Sequence, residues 1–254
     1  MKLTRFMDDA YRGQTSGRRL KSQEADPIFS LDDLAERVGT RPSRGAVEEL
    51  LPPDPGTLER LLESDPGRRY QIIWGHLSSI AAEMSPEPLL LPARDYAGLE
   101  LSSGTIILEK GGNHVGERMR GGRIYIRQTA GDYLGQEMTG GGILCAGVGH
   151  YAFRRMSGGL GVIKGDCGNF LALGCSGGRV VCRGSCGERA GWLMSEGSLR
   201  IHGDAGDYLG LLMKGGRITV FGRAGRRAGW RMKGGTIRGK DFGPEAADEV
   251  LELD

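Results

Sequence analysis

The chain has 254 residues, of which 39% are hydrophobic, and it carries a formal net charge of +2. An apolar content this low is unusual for a globular enzyme but suits a solenoid, whose core is only a few side chains wide. The near balance of 34 basic and 32 acidic residues gives no electrostatic case for binding nucleic acid or a membrane. The N-terminus lacks the apolar core of a signal peptide and no long apolar run occurs, so we expect a soluble, cytoplasmic protein.

Residues 1–98 are predicted to form an N-terminal tail followed by short helices. The stretch up to about residue 26 is polar and Arg-rich, which is typical of a segment that orders only against a partner. Ser30 then precedes LDDLAERV, and Asp33 follows three residues on. This pattern predicts a short helix that begins after Ser30 and ends at Gly39.

Further helices are predicted from Thr57, over TLERLLES, and over RYQIIWGHLSSIAAEM at 69–84, giving two or three in all. Residues 85–98 contain three prolines and are expected to be extended. We expect the helices and this linker to pack over the first repeat unit, because the open end of a solenoid is an unpaired sheet edge.

A glycine-rich phrase recurs eight times between residues 101 and 239, at steps of 18 or 19 residues. A period this regular indicates stacked units that bury their apolar faces only against one another. A hexapeptide β-helix does not fit steps of 19, and no glycine cluster leads into a βαβ pattern or a GK[ST] ending. The marker glycines of the phrase are Gly104, Gly122, Gly141, Gly159, Gly178, Gly197, Gly216 and Gly235.

Apolar residues keep fixed places within each repeat, two and four residues after the marker glycine, which predicts a strand with one inward face. The first of these columns is Ile106, Ile124, Ile143, Gly161, Val180, Leu199, Ile218 and Ile237. The sequence therefore predicts a mainly β fold, a right-handed single-stranded β-helix of about seven or eight coils over residues 99–240, with a small helical N-terminal extension. The acidic segment 241–254 is expected to form a helix that caps the other end.

Glycines are predicted to hold the turns, where a positive φ is cheapest for Gly. They are Gly116, Gly135, Gly191, Gly210 and Gly229. Phe153 takes the same place in another coil and is expected to rearrange that loop. Four aspartates are predicted to serve turns through hydrogen bonds to the backbone. They are Asp132, Asp166, Asp204 and Asp207.

The five cysteines occupy places that small or apolar core residues fill in other coils, so we expect buried, reduced thiols. They are Cys145, Cys167, Cys175, Cys182 and Cys186. Cys167 and Cys186 are expected on successive rungs, close enough for a disulfide. The four histidines fall in different columns or regions, so no metal site is predicted.

Two sets of outward residues are candidates for binding a partner. The first is an apolar patch across four coils, and exposed patches of this kind mark interfaces. It comprises Leu173, Trp192, Leu193, Leu211, Leu212 and Trp230. The second is a loop with two arginines beside two aromatic residues, suited to a protein or to an anionic substrate tail. It comprises His150, Tyr151, Phe153, Arg154 and Arg155. Leu144, Val162 and Val181 form a further apolar stretch on a strand face that needs a cover, and the N-terminal helices or C-terminal segment could cover either apolar surface.

GDYLGQEMTGGGI, GDAGDYLGLLMKGGRITV and GRAGRRAGWRMKGGTI resemble the GXGXG repeats of a known β-helix family. That family comprises the C subunit of formylmethanofuran dehydrogenase, its relative in the bacterial formyltransferase/hydrolase complex, and the C-terminal domain of glutamate synthase large subunits. HYAFRRMSGG at 150–159 resembles the irregular coil of the formylmethanofuran C subunit.

The resemblance implies a non-catalytic scaffold subunit with no cofactor of its own. Molybdenum or tungsten pterin, zinc or iron–sulfur chemistry would belong to partners, namely an amidohydrolase-like subunit and a formyltransferase-like or molybdopterin-type subunit. Two alternatives stay open: a separate β-helix subunit of a glutamate synthase-type amidotransferase, and a stand-alone β-helix binding protein.

Overall fold

The computed structural model describes residues 30–51 and 55–252, and the predicted N-terminal tail lies outside them. Four helices come first: α1 (Leu31–Val38), α2 (Arg44–Leu50), α3 (Pro55–Glu63) and α4 (Gln71–Met84). Strands follow: β1 (Leu89–Leu91), β2 (Thr105–Leu108), β3 (Arg123–Ala130), β4 (Gly142–Val148), β5 (Leu160–Ile163), β6 (Ser176–Cys182), β7 (Glu196–Ile201), β8 (Arg217–Ala224), β9 (Thr236–Phe242) and β10 (Leu251–Glu252).

The ten strands of the described residues form one parallel sheet in sequence order, in a β-solenoid of about eight turns with the short strands β1 and β10 paired at its two ends. The register follows the predicted apolar column: Ile106 pairs with Ile124, Ile124 with Ile143, and the pattern continues to Ile237. Each step along the sheet is therefore one sequence repeat, and the predicted fold class is confirmed. Pairing begins at Leu89, before the predicted start at residue 99, and continues to Glu252.

The core is a narrow column of side chains inside the coils. The inward strand residues, the Met, Leu or Cys before each marker glycine up to Met213, and the Leu, Val or Ala of each turn are fully or almost fully buried, whereas Met232 in the last coil is partly buried. Because every coil contributes the same few positions, each coil depends on its neighbours for burial.

Helix α4 lies directly on the first coil and satisfies its open edge. In later coils a turn N–H donates to the coil before it, as Gly116 N–H does to the Ala97 carbonyl at 2.9 Å. In the first coil the Gly98 N–H donates instead to Ser78 Oγ at 2.9 Å, and the Leu99 carbonyl accepts from Ser79 Oγ at 2.7 Å. The predicted N-terminal cap is confirmed.

The close approach of α4 also requires a glycine in the first coil. Gly104 has φ of 78°, and a Cβ at this position would lie 2.0 Å from the Ala82 carbonyl oxygen. The Ser102 N–H donates to Glu83 Oε1 at 2.7 Å, replacing the carbonyl that an earlier coil would supply. The helix thus takes the place of a coil in both packing and hydrogen bonding.

The predicted helices are confirmed, with one addition. Ser30 Oγ accepts from the Asp33 N–H at 3.1 Å, and Gly39 with φ of 77° ends α1. The prediction of two or three helices was wrong, because α2, capped by Ser43, makes four among the described residues.

The predicted C-terminal helix is also wrong. Residues 243–252 continue the solenoid, since the Arg227 N–H donates to the Pro244 carbonyl at 3.0 Å and the Ala247 N–H to Ala228 at 2.8 Å. Val250 packs on the core from this segment. The last coil is therefore closed by one further partial turn.

Candidate partner-binding surface

Each coil turns a corner between its strand and the next through alternating residues of positive φ. In the third coil these are Tyr133, Gly135 and Glu137, with φ of 60°, 63° and 56°. The Tyr133 and Glu137 N–H groups donate to the next coil, and the Gly135 N–H donates to the previous one. A non-glycine residue in this region costs roughly 1–2 kcal/mol, so each outward position needs a compensating contact.

The first of these positions forms a continuous stack along the solenoid, which we call the stacking column. Its ring centroids lie 4.6 to 5.0 Å apart with interplanar angles of 1° to 8° from Tyr96 to Phe170. The spacing equals that of neighbouring strands, so the rings stack because the coils do. The column comprises Tyr96, His114, Tyr133, Tyr151, Phe170, Arg189, Tyr208 and Arg227.

Arginines continue the column where aromatic residues stop. The Arg189 guanidinium lies 5.5 Å from the ring centroids of both Phe170 and Tyr208. Arg227 lies 4.9 Å from the Trp230 ring and pairs with Glu245 at 2.7 Å. A cation between aromatic faces is attractive, so the column stays favourable when a ring is replaced by Arg.

Sequence reasoning missed the stacking column because its members differ in type. The available signal was the recurrence of a ring or an arginine at the repeat period, immediately before each buried Leu, Val or Ala. Tyr151, predicted for partner binding, is one of these residues and is stacked between Tyr133 and Phe170.

The remaining residues of the predicted His150 loop do not form one site. Arg154 donates to Gln136 at 3.1 Å, and Arg155 pairs with Glu137 at 3.3 Å. Both arginines thus bind the preceding coil. His150 donates its N–H to Asp132 Oδ1 at 2.7 Å and accepts at Nδ1 from the Asn169 N–H at 3.0 Å.

The His150 ring thus accepts a backbone N–H of the following coil, as Asp and Asn side chains do in other coils. Asp132, Asp166, Asp204 and Asp207 each accept a backbone N–H of the following coil at 2.7 to 2.8 Å. Their predicted backbone hydrogen bonds are confirmed, and these bonds join coils.

The prediction that Phe153 rearranges its loop and contributes to partner binding was wrong. Phe153 keeps φ of 55° and donates its N–H to the Leu134 carbonyl at 2.7 Å, as the glycine-containing turns do, so the loop is not rearranged. Its side chain is fully buried and cannot contact a partner. The ring fills space left by Gly161, where a Cβ would lie 2.3 Å from the Phe153 ring.

The predicted turn glycines all have φ between 63° and 71°. They are Gly116, Gly135, Gly191, Gly210 and Gly229. At Gly210 a Cβ would lie 2.4 Å from Ile237 Cδ1 of the next coil, so this position requires both the positive φ and the missing side chain.

The predicted apolar residues lie together on one corner of adjacent coils, and we call them the corner patch. The Leu193 N–H donates to the Leu211 carbonyl at 2.9 Å, and the Leu212 N–H to Trp230 at 3.0 Å, which places them on successive rungs. Leu193 is 37% exposed and the others are partly exposed. The patch comprises Leu173, Trp192, Leu193, Leu211, Leu212 and Trp230.

Among the described parts of the chain that were candidates to cover the patch, helix α4 lies at the other end of the solenoid, and the C-terminal segment stacks on the last coil of the patch, that of Trp230. Helix α4 packs on β1 and β2, and the C-terminal segment pairs with β9. The Trp192 Nε1–H is buried without an acceptor among the described residues. In the early coils the same corner carries charged residues, and Arg118 there pairs with Glu100 of the preceding coil at 3.2 Å.

The second apolar stretch also lies where predicted. Leu144 pairs with Val162, and Val162 with Val181, on the outward face of β4 to β6. Leu160, beside them, is 42% exposed.

All five cysteines are buried and free, as predicted. Burial raises the pKa of the Cys145 and Cys175 thiols to about 12, so both remain protonated. Cys167 and Cys186 pair through their backbones on successive coils, and the Cys167 Sγ lies 3.9 Å from the Cys182 Sγ. The pKa of Cys167 is raised by its contacts with Cys182 and Cys186 and by burial.

Within residues 30–51 and 55–252, no three His, Cys, Asp or Glu side chains converge as metal ligands. In the same part of the chain, no helix has the length and apolar character needed to cross a bilayer. The two features that distinguish the surface of the described residues are the corner patch and the stacking column. No protein-family model matches the chain, and a search of curated proteins finds no similar sequence.

Proposed function

We propose that the chain is a scaffold subunit, without catalytic residues of its own, of a one-carbon complex of the formylmethanofuran dehydrogenase or formyltransferase/hydrolase type. The observation that carries this proposal is the corner patch, which spans four coils and stays partly exposed. Contiguous apolar surface of this kind is typical of protein interfaces.

The composition of the patch supports a protein partner. Tryptophan is enriched among residues that dominate binding energy, and Trp192 and Trp230 lie two coils apart on the same corner. Arg155 and Arg231 flank the leucines at the same turn position and provide a charged rim. An apolar centre with a polar rim is the usual anatomy of an interface.

The partners proposed are those that the sequence resemblance implies, an amidohydrolase-like subunit and a formyltransferase-like or molybdopterin-type subunit. Molybdenum or tungsten pterin, zinc and iron–sulfur groups would reside in those partners. We place the complex in the cytoplasm, since the five free thiols suit a reducing compartment.

The experiment is a tagged pull-down from the native host at low salt, with partners identified by mass spectrometry, using wild type, Leu193→Glu and Leu212→Arg. Both substitutions introduce residue types that other coils carry at this turn position, as Glu137 with φ of 56° and Arg118 with φ of 54° show. The fold should therefore tolerate them. The matched control is Arg118→Gln, at the same turn position on the same corner but outside the patch and its rim.

We expect wild type and Arg118→Gln to recover the same one-carbon subunits, and the two patch variants to lose them while keeping the wild-type unfolding temperature. Recovery of glutaminase and flavin subunits, or a stand-alone chain without partners, would overturn the assignment. Unchanged recovery by both patch variants would overturn the role of the corner patch.

A further inference from the structure

The outward face of the sheet changes character along the solenoid. Over β2 to β5 it is largely apolar, whereas over β6 to β9 arginines alternate with hydroxyl residues in two neighbouring columns. The register defines the columns. The first is Arg179, Ser198, Arg217 and Thr236, and the second is Val181, Arg200, Thr219 and Arg238.

Three of these arginines line one cavity. Arg200 is on β7, diagonal to Arg179 on β6 and to Arg217 on β8, and diagonal neighbours in a sheet are roughly 7–8 Å apart. All three side chains are exposed, so these like charges repel one another weakly through solvent. The arrangement therefore costs a small amount of stability when nothing lies between the guanidinium groups.

These arginines lack the carboxylate partners found for many others in the solenoid. Arg118, Arg127 and Arg155 each pair with a glutamate of the preceding coil at 3.2 to 3.3 Å. Within the described part of the chain, Arg179, Arg200 and Arg217 form no ion pair.

A cavity of about 150 Å³ lies between these side chains. Its polar side chains come from three successive strands: Arg179, Ser198, Arg200, Arg217 and Thr219. Each can donate hydrogen bonds, and no carboxylate or amide lines the cavity. The nearest acid along the outward side of β7, Glu196, is paired in register with Ser176 and is not part of the lining.

We propose that this cavity binds a phosphate-type oxyanion, held by Arg179, Arg200 and Arg217 with Ser198 and Thr219 as additional donors. A single guanidinium fork satisfies a planar carboxylate, whereas donors arriving from three coils match the several oxygens of a tetrahedral anion. The anion also removes the repulsion between the three arginines. The bound anion is either free inorganic phosphate or the phosphate group of an organic ester.

The test is calorimetric titration of the full chain with inorganic phosphate, glycerol 3-phosphate and acetate, each at constant ionic strength. The variants are Arg200→Gln, which removes the central guanidinium, and Arg123→Gln as the matched control. Arg123 is in the same column as Arg179 but is flanked by Thr105 and Gly142, so it loses the same charge without touching the cavity.

We expect saturable binding of at least one phosphate compound by wild type, weakened about tenfold or more by Arg200→Gln, which corresponds to losing a charge-assisted hydrogen bond. Arg123→Gln should stay within about twofold of wild type. Equal binding of both compounds, or preference for the ester, assigns an organic phosphate, and binding of inorganic phosphate alone assigns the free ion.

The unfolding temperature, measured with and without phosphate, is a second readout. Arg200→Gln should raise the unfolding temperature in chloride buffer because it relieves the repulsion, and phosphate should then raise it less than in wild type. Absence of saturable phosphate binding, tighter binding of acetate than of either phosphate compound, or an equal loss in Arg123→Gln would overturn the proposal.

Discussion

The exchange between Phe153 and Gly161 provides the sharpest test of how the coils pack. In the neighbouring coil the turn position is Gly135 and the inward strand position is Ile143, so large and small residues are swapped relative to the Phe153 coil. We predict that Phe153→Gly and Gly161→Ile are each destabilising alone and compensate when combined. The double variant restores the pattern of the other coils.

The magnitudes follow from the contacts. Removing a buried Phe ring costs about 3–5 kcal/mol, and glycine at φ of 55° recovers roughly 1 kcal/mol of backbone strain, leaving about 2–4 kcal/mol for Phe153→Gly. Gly161→Ile places a Cβ 2.3 Å from the ring, an overpacking that costs about 1–3 kcal/mol or more. The double variant should lie within about 1 kcal/mol of wild type, so the coupling energy should be about 2 kcal/mol or larger.

The assay is urea unfolding of all four proteins, followed by circular dichroism, with the free energy of unfolding taken from midpoint and slope. The control pairs Gly161→Ile with Leu209→Ala, a fully buried residue more than two coils away, whose effects should add. Additive effects of Phe153→Gly and Gly161→Ile, within about 0.5 kcal/mol, would refute the exchange of volume between the two positions.

Three further predictions concern single side chains. Trp192→Phe should leave the free energy of unfolding unchanged or raise it, because the buried Trp192 N–H has no acceptor among the described residues. Trp74→Phe should cost about 1–3 kcal/mol, because it removes the hydrogen bond of 3.0 Å from the Trp74 Nε1–H to the Leu62 carbonyl. Urea unfolding midpoints compare the two variants. Desolvation lowers the pKa of the buried His76 below its ordinary value of 6.5, so the unfolded state takes up a proton first as the pH decreases. The free energy of unfolding should therefore fall below about pH 6.5, by at most about 1.4 kcal/mol per pH unit. His76→Phe should flatten this decline in thermal unfolding measured from pH 5 to 8, and an unchanged slope would contradict the prediction. Tyr133→Ala should cost about 1–3 kcal/mol of stability for its two stacked contacts, in addition to the lost burial. Tyr133→Phe keeps the ring and should remain close to wild type. Equal unfolding midpoints for the two variants would exclude a stabilising stack.

The sequence allowed the coil, its register and its inward columns to be predicted, because those positions are filled by one class of residue in almost every repeat. Ile106, Ile124 and Ile143 are paired in the structure as their spacing predicted. The corner patch was likewise placed correctly, since leucines and tryptophans at a fixed offset from the turn glycine share a corner.

The errors arose where a position is defined by geometry and not by residue class. Phe153 was expected outside because it replaced a glycine, and only the distance to Gly161 shows that the two positions exchange volume. The acidic C-terminal segment was assigned to a helix from composition, yet Ala247 and Val250 reproduce the packing of a further coil. Helix α2 was missed because seven residues between polar stretches give too few periods of hydrophobic pattern.

The capping contacts of α4 also close one end of the solenoid. Every coil offers the next one the same N–H and carbonyl groups that it receives, so nothing within the repeat fixes the number of coils. At the α4 end the stacking stops because Ser78, Ser79 and Glu83 make the hydrogen bonds that a further coil would make. About eight turns at ~4.8 Å each give an axis of roughly 38 Å, along which equivalent residues of successive coils lie at multiples of one strand spacing.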